Sequence, residues 1–87
     1  MKTTREEIRS FIIDNFLFGQ NNGELSDDDS LLEKGIVDST GVLELVQFLE
    51  RTYSLKVKDE DLVPDNLDTI RRAADYVRRM KELERAG

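Results

Sequence analysis

Apolar side chains recur at helical spacing in three stretches, and strict alternation is confined to residues 55–57. In the first stretch, Thr4 and Glu7 fit a capping box that predicts the start of a helix. Its inner stripe consists of Ile8, Phe11, Ile12 and Phe16. We expect this helix to end at the Gly and Asn residues that open the polar loop 19–30, because both residue types tolerate left-handed backbone. Leu25 is the expected apolar anchor of that loop.

A second long helix is predicted from Asp38-Ser39 to about Tyr53, and a last one from about Thr69 to Arg85. The inner stripe of the second helix comprises Val42, Leu45, Val46, Leu49 and Tyr53. The inner stripe of the last helix comprises Leu67, Ile70, Ala73, Ala74, Val77 and Met80. Each stripe repeats at three- and four-residue steps, which is typical of a helix with one face in a core.

Two short helical patterns lie between the long helices. Residues 30–33 form another capping-box pattern closed by Gly35, which predicts a single turn with one of its two leucines inward. Residues 58–63 predict a short helix that we expect Pro64 to stop, followed by a turn and cap over residues 65–68. The pattern therefore predicts an all-α fold: a small bundle of three long helices plus one or two short ones.

The composition excludes several kinds of catalytic or metal site. The 87 residues include 13 Lys and Arg against 19 Asp and Glu, a net charge of −6, with no His and no Cys. Zinc sites, thiol nucleophiles and His-based proton shuttles are therefore absent. No apolar run is long enough to span a membrane, and nothing resembles a secretion signal. We expect residues 1–87 to form one cytoplasmic domain.

Acidic residues are concentrated in the middle of the chain. Residues 14–68 carry four basic and fourteen acidic side chains, whereas residues 69–87 carry six basic and three acidic ones. This charge argues against nucleic-acid binding and indicates basic partner proteins. The acidic run 27–29 lacks the glycine and glutamate positions of a calcium loop. We identify no catalytic residues and no metal ligands.

The most informative segment is Gly35-Ile36-Val37-Asp38-Ser39-Thr40-Gly41, which opens the second long helix. A Ser at a helix start is ordinarily an N-cap. Here the Ser directly follows an Asp, and that Asp is preceded by a Gly and two apolar residues. The Ser also opens an acidic helix in a small helical chain. Together with the segments 66–70 and 74–77 that lead into and form the last helix, this motif resembles the acyl and peptidyl carrier protein family. The resemblance covers almost the whole chain.

The resemblance implies that Ser39 is the attachment point for a 4′-phosphopantetheine arm, which a phosphopantetheinyl transferase takes from coenzyme A. A helix N-terminus suits a phosphodiester because its free N–H groups and dipole favour an anion. Asp38 matches the family's preceding Asp, and either helps to hold the magnesium ion that accompanies coenzyme A or stabilises the helix dipole. The chain is then no enzyme but a discrete carrier that holds acyl or aminoacyl groups as thioesters.

Three features separate this chain from most carriers of fatty-acid synthesis: Thr40 in place of an apolar residue, two residues between Gly35 and Asp38, and Arg51 within the acidic run. The pattern resembles stand-alone carriers loaded by an adenylating ligase, including D-alanyl carrier proteins. We therefore expect a carrier that serves a specialised lipid, polyketide or aminoacyl pathway. A monomer is the default expectation for a carrier that presents one exposed serine to many partners.

The partner-facing surface is expected on the outer face of the second helix, where ligases and downstream enzymes with basic surfaces would dock. Its predicted residues are Thr40, Leu43, Glu44, Gln47 and Glu50. A cargo pocket cannot be separated by sequence from the core between the helices. The alternative function is a small acidic adaptor that binds basic partners without a prosthetic group, with Ser39 serving only as a cap.

Overall fold

A computed structural model describes residues 3–17 and 25–86. The helices are α1 (Thr4–Phe16), α2 (Ser39–Tyr53), α3 (Pro64–Leu67) and α4 (Ile70–Ala86), with a 3-10 turn at Asp59–Asp61. Three long helices and two short ones confirm the predicted all-α bundle. None of the helices in these two ranges is long and apolar enough to cross a membrane.

The three long helices share one apolar core. Its completely inaccessible side chains include Ile8, Ile12, Leu45, Leu49 and Ile70. The predicted stripes are confirmed, with Phe11, Phe16, Val42, Tyr53 and Met80 partly buried at the edge of the core. Each large aliphatic side chain that is fully buried stabilises the fold by about 1.5–3 kcal/mol. α4 packs against α1 through these stripes.

The capping box of α1 lies one residue earlier than predicted. The Thr3 hydroxyl accepts a hydrogen bond from the Glu6 N–H, and the Glu6 carboxylate accepts one from the Thr3 N–H. Thr4 and Glu7 fit the same pattern, so the pattern does not distinguish the two pairs. Glu7 is engaged elsewhere, because its carboxylate accepts a hydrogen bond from the Tyr53 hydroxyl at 2.9 Å.

The first loop is fixed to the helices at the end that the structure describes, residues 25–30. α1 ends at Phe16, while the predicted Gly and Asn stop lies outside the described residues. Leu25 is buried, as predicted. The acidic run 27–29 is paired rather than free: its side chains contact Arg5, Arg9, Lys34 and Arg71. Within the described ranges, no group of three or more Asp, Glu, His or Cys side chains could hold a metal ion.

The segment 30–35 is a turn rather than a regular helix. Leu31 is the inward-facing leucine, at 1% exposure, whereas Leu32 is 39% exposed. Gly35 closes the turn with φ of +69°, a left-handed conformation that glycine adopts without steric cost. The predicted closure at this glycine is therefore confirmed.

Asp68 joins this turn to the start of α4. Its carboxylate accepts hydrogen bonds from the Ser30 hydroxyl at 2.5 Å and from the Leu32 N–H at 3.0 Å. Thr69 caps α4 instead, because its hydroxyl accepts from the Arg72 N–H at 2.9 Å. The cap predicted within residues 65–68 is thus wrong, since the Asp68 carboxylate bridges two distant segments.

Pro64 begins a helix rather than stopping one. It occupies the first position of α3, where a missing N–H leaves no hydrogen bond unmade and the fixed φ of proline suits the helix. The helix predicted over residues 58–63 is the single 3-10 turn Asp59–Asp61. Leu67, at the end of α3, is buried in the core.

Two tyrosines make equally long hydrogen bonds to carboxylates. The Tyr76 hydroxyl donates to Asp61 and the Tyr53 hydroxyl donates to Glu7, both at 2.9 Å. Tyr76 is only 3% exposed. Burial and the hydrogen bond to Asp61 raise the pKa of Tyr76 to about 12. The same two causes, burial and the bond to Glu7, raise the pKa of Tyr53.

We expect the stabilising effect of the Tyr76 hydroxyl to disappear in alkaline solution. The pKa of Tyr76 is raised from 10.0 to about 12 in the fold. The folded state thus favours the neutral phenol. The hydroxyl of Tyr76 therefore stabilises the fold fully below pH 10, and this stabilisation is lost as the pH rises towards 12. Asp61 and Glu50 raise this pKa, and Arg79 lowers it.

The measurement is the free energy of unfolding in urea for the wild type and for Tyr76→Phe, from pH 7 to pH 12. The difference in free energy of unfolding between the two proteins should decrease above pH 10. Tyr53 is present in both proteins, so its own titration cancels. A difference that stays constant over the whole range would contradict the expectation.

Candidate functional site

Asp38 and Ser39 lie where the chain leaves the core and enters α2. Val37 is buried, Asp38 has extended backbone, and Ser39 is the first residue of the helix. The carboxylate of Asp38 accepts a hydrogen bond from the Gly41 N–H at 2.7 Å, so Asp38 is the N-cap. The idea that Ser39 serves as the cap is therefore wrong.

Ser39 is exposed, and within the described part of the chain its hydroxyl makes no hydrogen bond. The backbone N–H groups of Ser39 and Thr40 also have no acceptor among the described residues. The Asp38 carboxylate accepts only the N–H of Gly41 in this first turn. Free N–H groups at a helix N-terminus carry partial positive charge and favour an anionic oxygen. The start of α2 therefore fits a phosphate ester on the Ser39 oxygen.

Gly41 is required by close packing in the first turn of α2. A Cβ at this position would lie 2.9 Å from a ring carbon of Phe16 and 3.1 Å from a methyl group of Val37. Both distances are shorter than ordinary carbon contacts. The end of α1 can therefore pack onto the start of α2 only because residue 41 has no side chain.

An apolar cleft of about 290 Å³ opens beside Ser39. The turn 30–35, α2 and the segment around α3 all contribute to its lining. Three large apolar side chains of the lining are well exposed: Leu32 at 39%, Leu43 at 52% and Val63 at 40%. Leu43 was predicted as a partner-interface residue. Leu32 and Val63 were missed, because nothing in the sequence indicates that their segments meet beside Ser39.

Four of the five predicted interface residues are exposed: Thr40, Leu43, Glu44 and Gln47. Thr40 and Glu44 line a second hollow of about 290 Å³, together with Asp38 and the end of α1. The fifth, Glu50, is half-buried, and its carboxylate accepts a hydrogen bond from the Val57 N–H at 2.9 Å. Glu50 therefore holds the chain that follows α2.

Comparison with known proteins gives two consistent matches. Residues 17–77 match the protein family described as "Phosphopantetheine attachment site". Curated relatives include the D-alanyl carrier proteins of Streptococcus pyogenes serotype M5 (strain Manfredo), serotype M49 (strain NZ131) and serotype M1. Each is 33% identical over 70 residues, which cover 80% of this chain and 84% of the relative. The family match includes every residue that lines the apolar cleft.

We expect the stability of the first turn of α2 to depend on Asp38 and not on Ser39. Asp38→Ala removes the cap and should lower the free energy of unfolding by about 0.5–2 kcal/mol. Ser39→Ala changes an exposed side chain and should alter it by less than about 0.5 kcal/mol. Urea unfolding followed by circular dichroism measures both, with Asp38→Ser as a control that keeps a cap. A larger loss for Ser39→Ala than for Asp38→Ala would contradict the cap assignment.

Proposed function

This chain belongs to the phosphopantetheine attachment site family, and from that membership we propose that Ser39 receives the 4′-phosphopantetheine arm. Proteins of this family are carriers on which partner enzymes act, and they are not themselves catalytic. The observation that supports Ser39 is its free, exposed hydroxyl at the first position of α2. The adaptor alternative loses support, because it gives Ser39 only a capping role that Asp38 performs.

The groups around Ser39 have separate roles in this proposal. The N–H groups of Ser39 and Thr40 stabilise the negative charge of the phosphodiester through the positive end of the helix dipole. Asp38 uses its Oδ1 atom for the cap. The rest of its carboxylate would help to hold the magnesium ion that accompanies coenzyme A during loading by the transferase.

The arm supplies a terminal thiol, on which an acyl or aminoacyl group is held as a thioester. The polypeptide presents Ser39 at its surface and docks onto each enzyme in turn, so that tethering raises the local concentration of the cargo. The relatives are D-alanyl carriers by name. We therefore favour a small aminoacyl or acyl cargo, loaded by an adenylating ligase.

The docking surface that we propose combines apolar contacts with acidic charge. Exposed Leu32, Leu43 and Val63 surround the cleft beside Ser39. A cluster of exposed apolar side chains on a small protein is typical of an interaction site. Glu44 follows Leu43 in the chain, is exposed, and lines the second hollow together with Asp38. Its charge would raise the encounter rate with basic enzymes more than the final affinity, which suits a carrier that must be released quickly.

The loading of Ser39 is tested by intact mass after incubation with coenzyme A, magnesium and a broad-specificity phosphopantetheinyl transferase. The wild type should gain the mass of one phosphopantetheine, and Ser39→Ala should gain none. Thr40→Ala, which removes the neighbouring hydroxyl, should load normally. A mass gain on Ser39→Ala would place the arm elsewhere. A folded wild type that several transferases leave unmodified would favour the adaptor.

The docking role of Glu44 is tested by charge reversal. Glu44→Lys should lower kcat/KM for loading severalfold, because a basic enzyme surface would meet a like charge, and added salt should reduce the effect. Glu82→Lys makes the same change at an exposed position on α4 and serves as the control. Equal kcat/KM for the two variants would remove the claim that Glu44 lies in the interface.

A further inference from the structure

One wall of the apolar cleft is formed by a segment with little regular structure. Residues 58–67 contain the 3-10 turn and α3, and they place Leu62, Val63 and Pro64 in the lining. The backbone hydrogen bonds of this segment close within residues 58–68, for example from Leu62 to Asp59 and from Leu67 to Val63. Among the described residues, the wall is therefore attached to the bundle by side chains rather than by main-chain bonds.

Three side chains of α4 make polar links to this wall, and the longest of these links is the 3.4 Å bond from the Arg72 guanidinium to the Pro64 carbonyl. The Tyr76 hydroxyl donates to Asp61 Oδ2 at 2.9 Å, and the Arg79 guanidinium donates to Asn66 Oδ1 at 3.0 Å. The Tyr76 and Arg79 links are connected, because the Asn66 amide donates to the Asp61 carbonyl at 2.9 Å. The Arg79 guanidinium also lies 5.7 Å from the centre of the Tyr76 ring.

The three links differ in strength. Tyr76 is 3% exposed and donates to a carboxylate, and a hydrogen bond to a charged acceptor away from water is strong. Arg72 and Arg79 are exposed, so water competes for their guanidinium groups. Buried Leu67 anchors the end of the wall in the core, and among the polar links the bond between Tyr76 and Asp61 contributes most to the position of the wall.

We propose that the Asp61–Tyr76 hydrogen bond is a latch that sets the position of the cleft wall and thereby controls how partner enzymes dock beside Ser39. Tyr76 does not line the cleft, so it acts through Asp61 as a positioning residue. The docking part of this proposal rests on the proposed role of Ser39. The positioning part rests on the geometry of the wall alone.

The second tyrosine provides an internal control. Tyr53 donates to Glu7 at the same 2.9 Å, but it lies at the other end of α2. α2 has 15 residues, which places Tyr53 about 21 Å from Ser39 along the helix axis. Tyr53→Phe and Tyr76→Phe therefore remove the same type of hydrogen bond and keep both rings. Only Tyr76→Phe removes a bond to the cleft wall.

Amide hydrogen exchange of the full chain, before any loading, tests the positioning. We expect the amides of residues 59–67 to exchange severalfold faster in Tyr76→Phe than in the wild type. Tyr53→Phe should leave their rates unchanged once global stability is taken into account. Equal acceleration in both variants would mean that the Tyr76 hydroxyl stabilises the whole fold and does not hold the wall.

Steady-state loading by a phosphopantetheinyl transferase tests the effect on docking. Tyr76→Phe should raise KM for the carrier severalfold and leave kcat unchanged, whereas Tyr53→Phe should change neither constant. Asp61→Asn keeps a side-chain oxygen that can accept from Tyr76 but lacks the charge, so it should raise KM less than Tyr76→Phe does. Asp61→Ala has no such acceptor and should resemble Tyr76→Phe.

The outcomes separate this proposal from the proposed function. Normal loading of Tyr76→Phe, with KM equal to that of Tyr53→Phe, would overturn the latch and leave Ser39 as the attachment site. A wild type that no transferase loads would overturn the docking part together with the proposed function. Hydrogen exchange would still decide whether Tyr76 holds the wall.

Discussion

A single hydrogen bond at the start of α2 determines what this protein can present to its partners. The Gly41 N–H is satisfied by the carboxylate of Asp38, so the hydroxyl of Ser39 is not needed as a cap and stays exposed. The geometry also requires close packing behind the cap, where the missing side chain of Gly41 leaves room for Phe16. The position of the serine and the packing of α1 on α2 thus depend on the same few atoms.

The surface beside this serine is built from segments that are distant in sequence and hold little regular structure. The turn 30–35 is joined to the start of α4 by Asp68, and the wall around α3 is joined to α4 by Tyr76. Hydrogen bonds fix the position of these segments, and each segment also places one leucine, Leu31 or Leu67, in the apolar core that holds the long helices. Segments with little regular structure open at lower free energy than a helical core, which would suit the docking surface proposed above.

The structure also changes the interpretation of the acidic charge. The number of acidic residues in the middle of the chain indicates a broad anionic surface. Many of these carboxylates, however, are hydrogen-bonded or ion-paired within the protein. The engaged residues include Asp27, Asp28, Asp29, Asp38, Glu50, Asp61 and Asp68. Charge available to a partner is therefore more local than the net value suggests, and Glu44 is one of the exposed carboxylates, on the hollow that Asp38 also lines.

The sequence by itself determined the three amphipathic helices and the place of Asp38-Ser39 at the start of the second, because periodicity and helix starts are local properties. Only the tertiary structure decided which of two overlapping capping boxes opens α1, since Glu7 is taken by Tyr53. It likewise decided that Leu32 and Val63 meet beside Ser39. These outcomes depend on contacts between residues far apart in the chain, which no local pattern encodes.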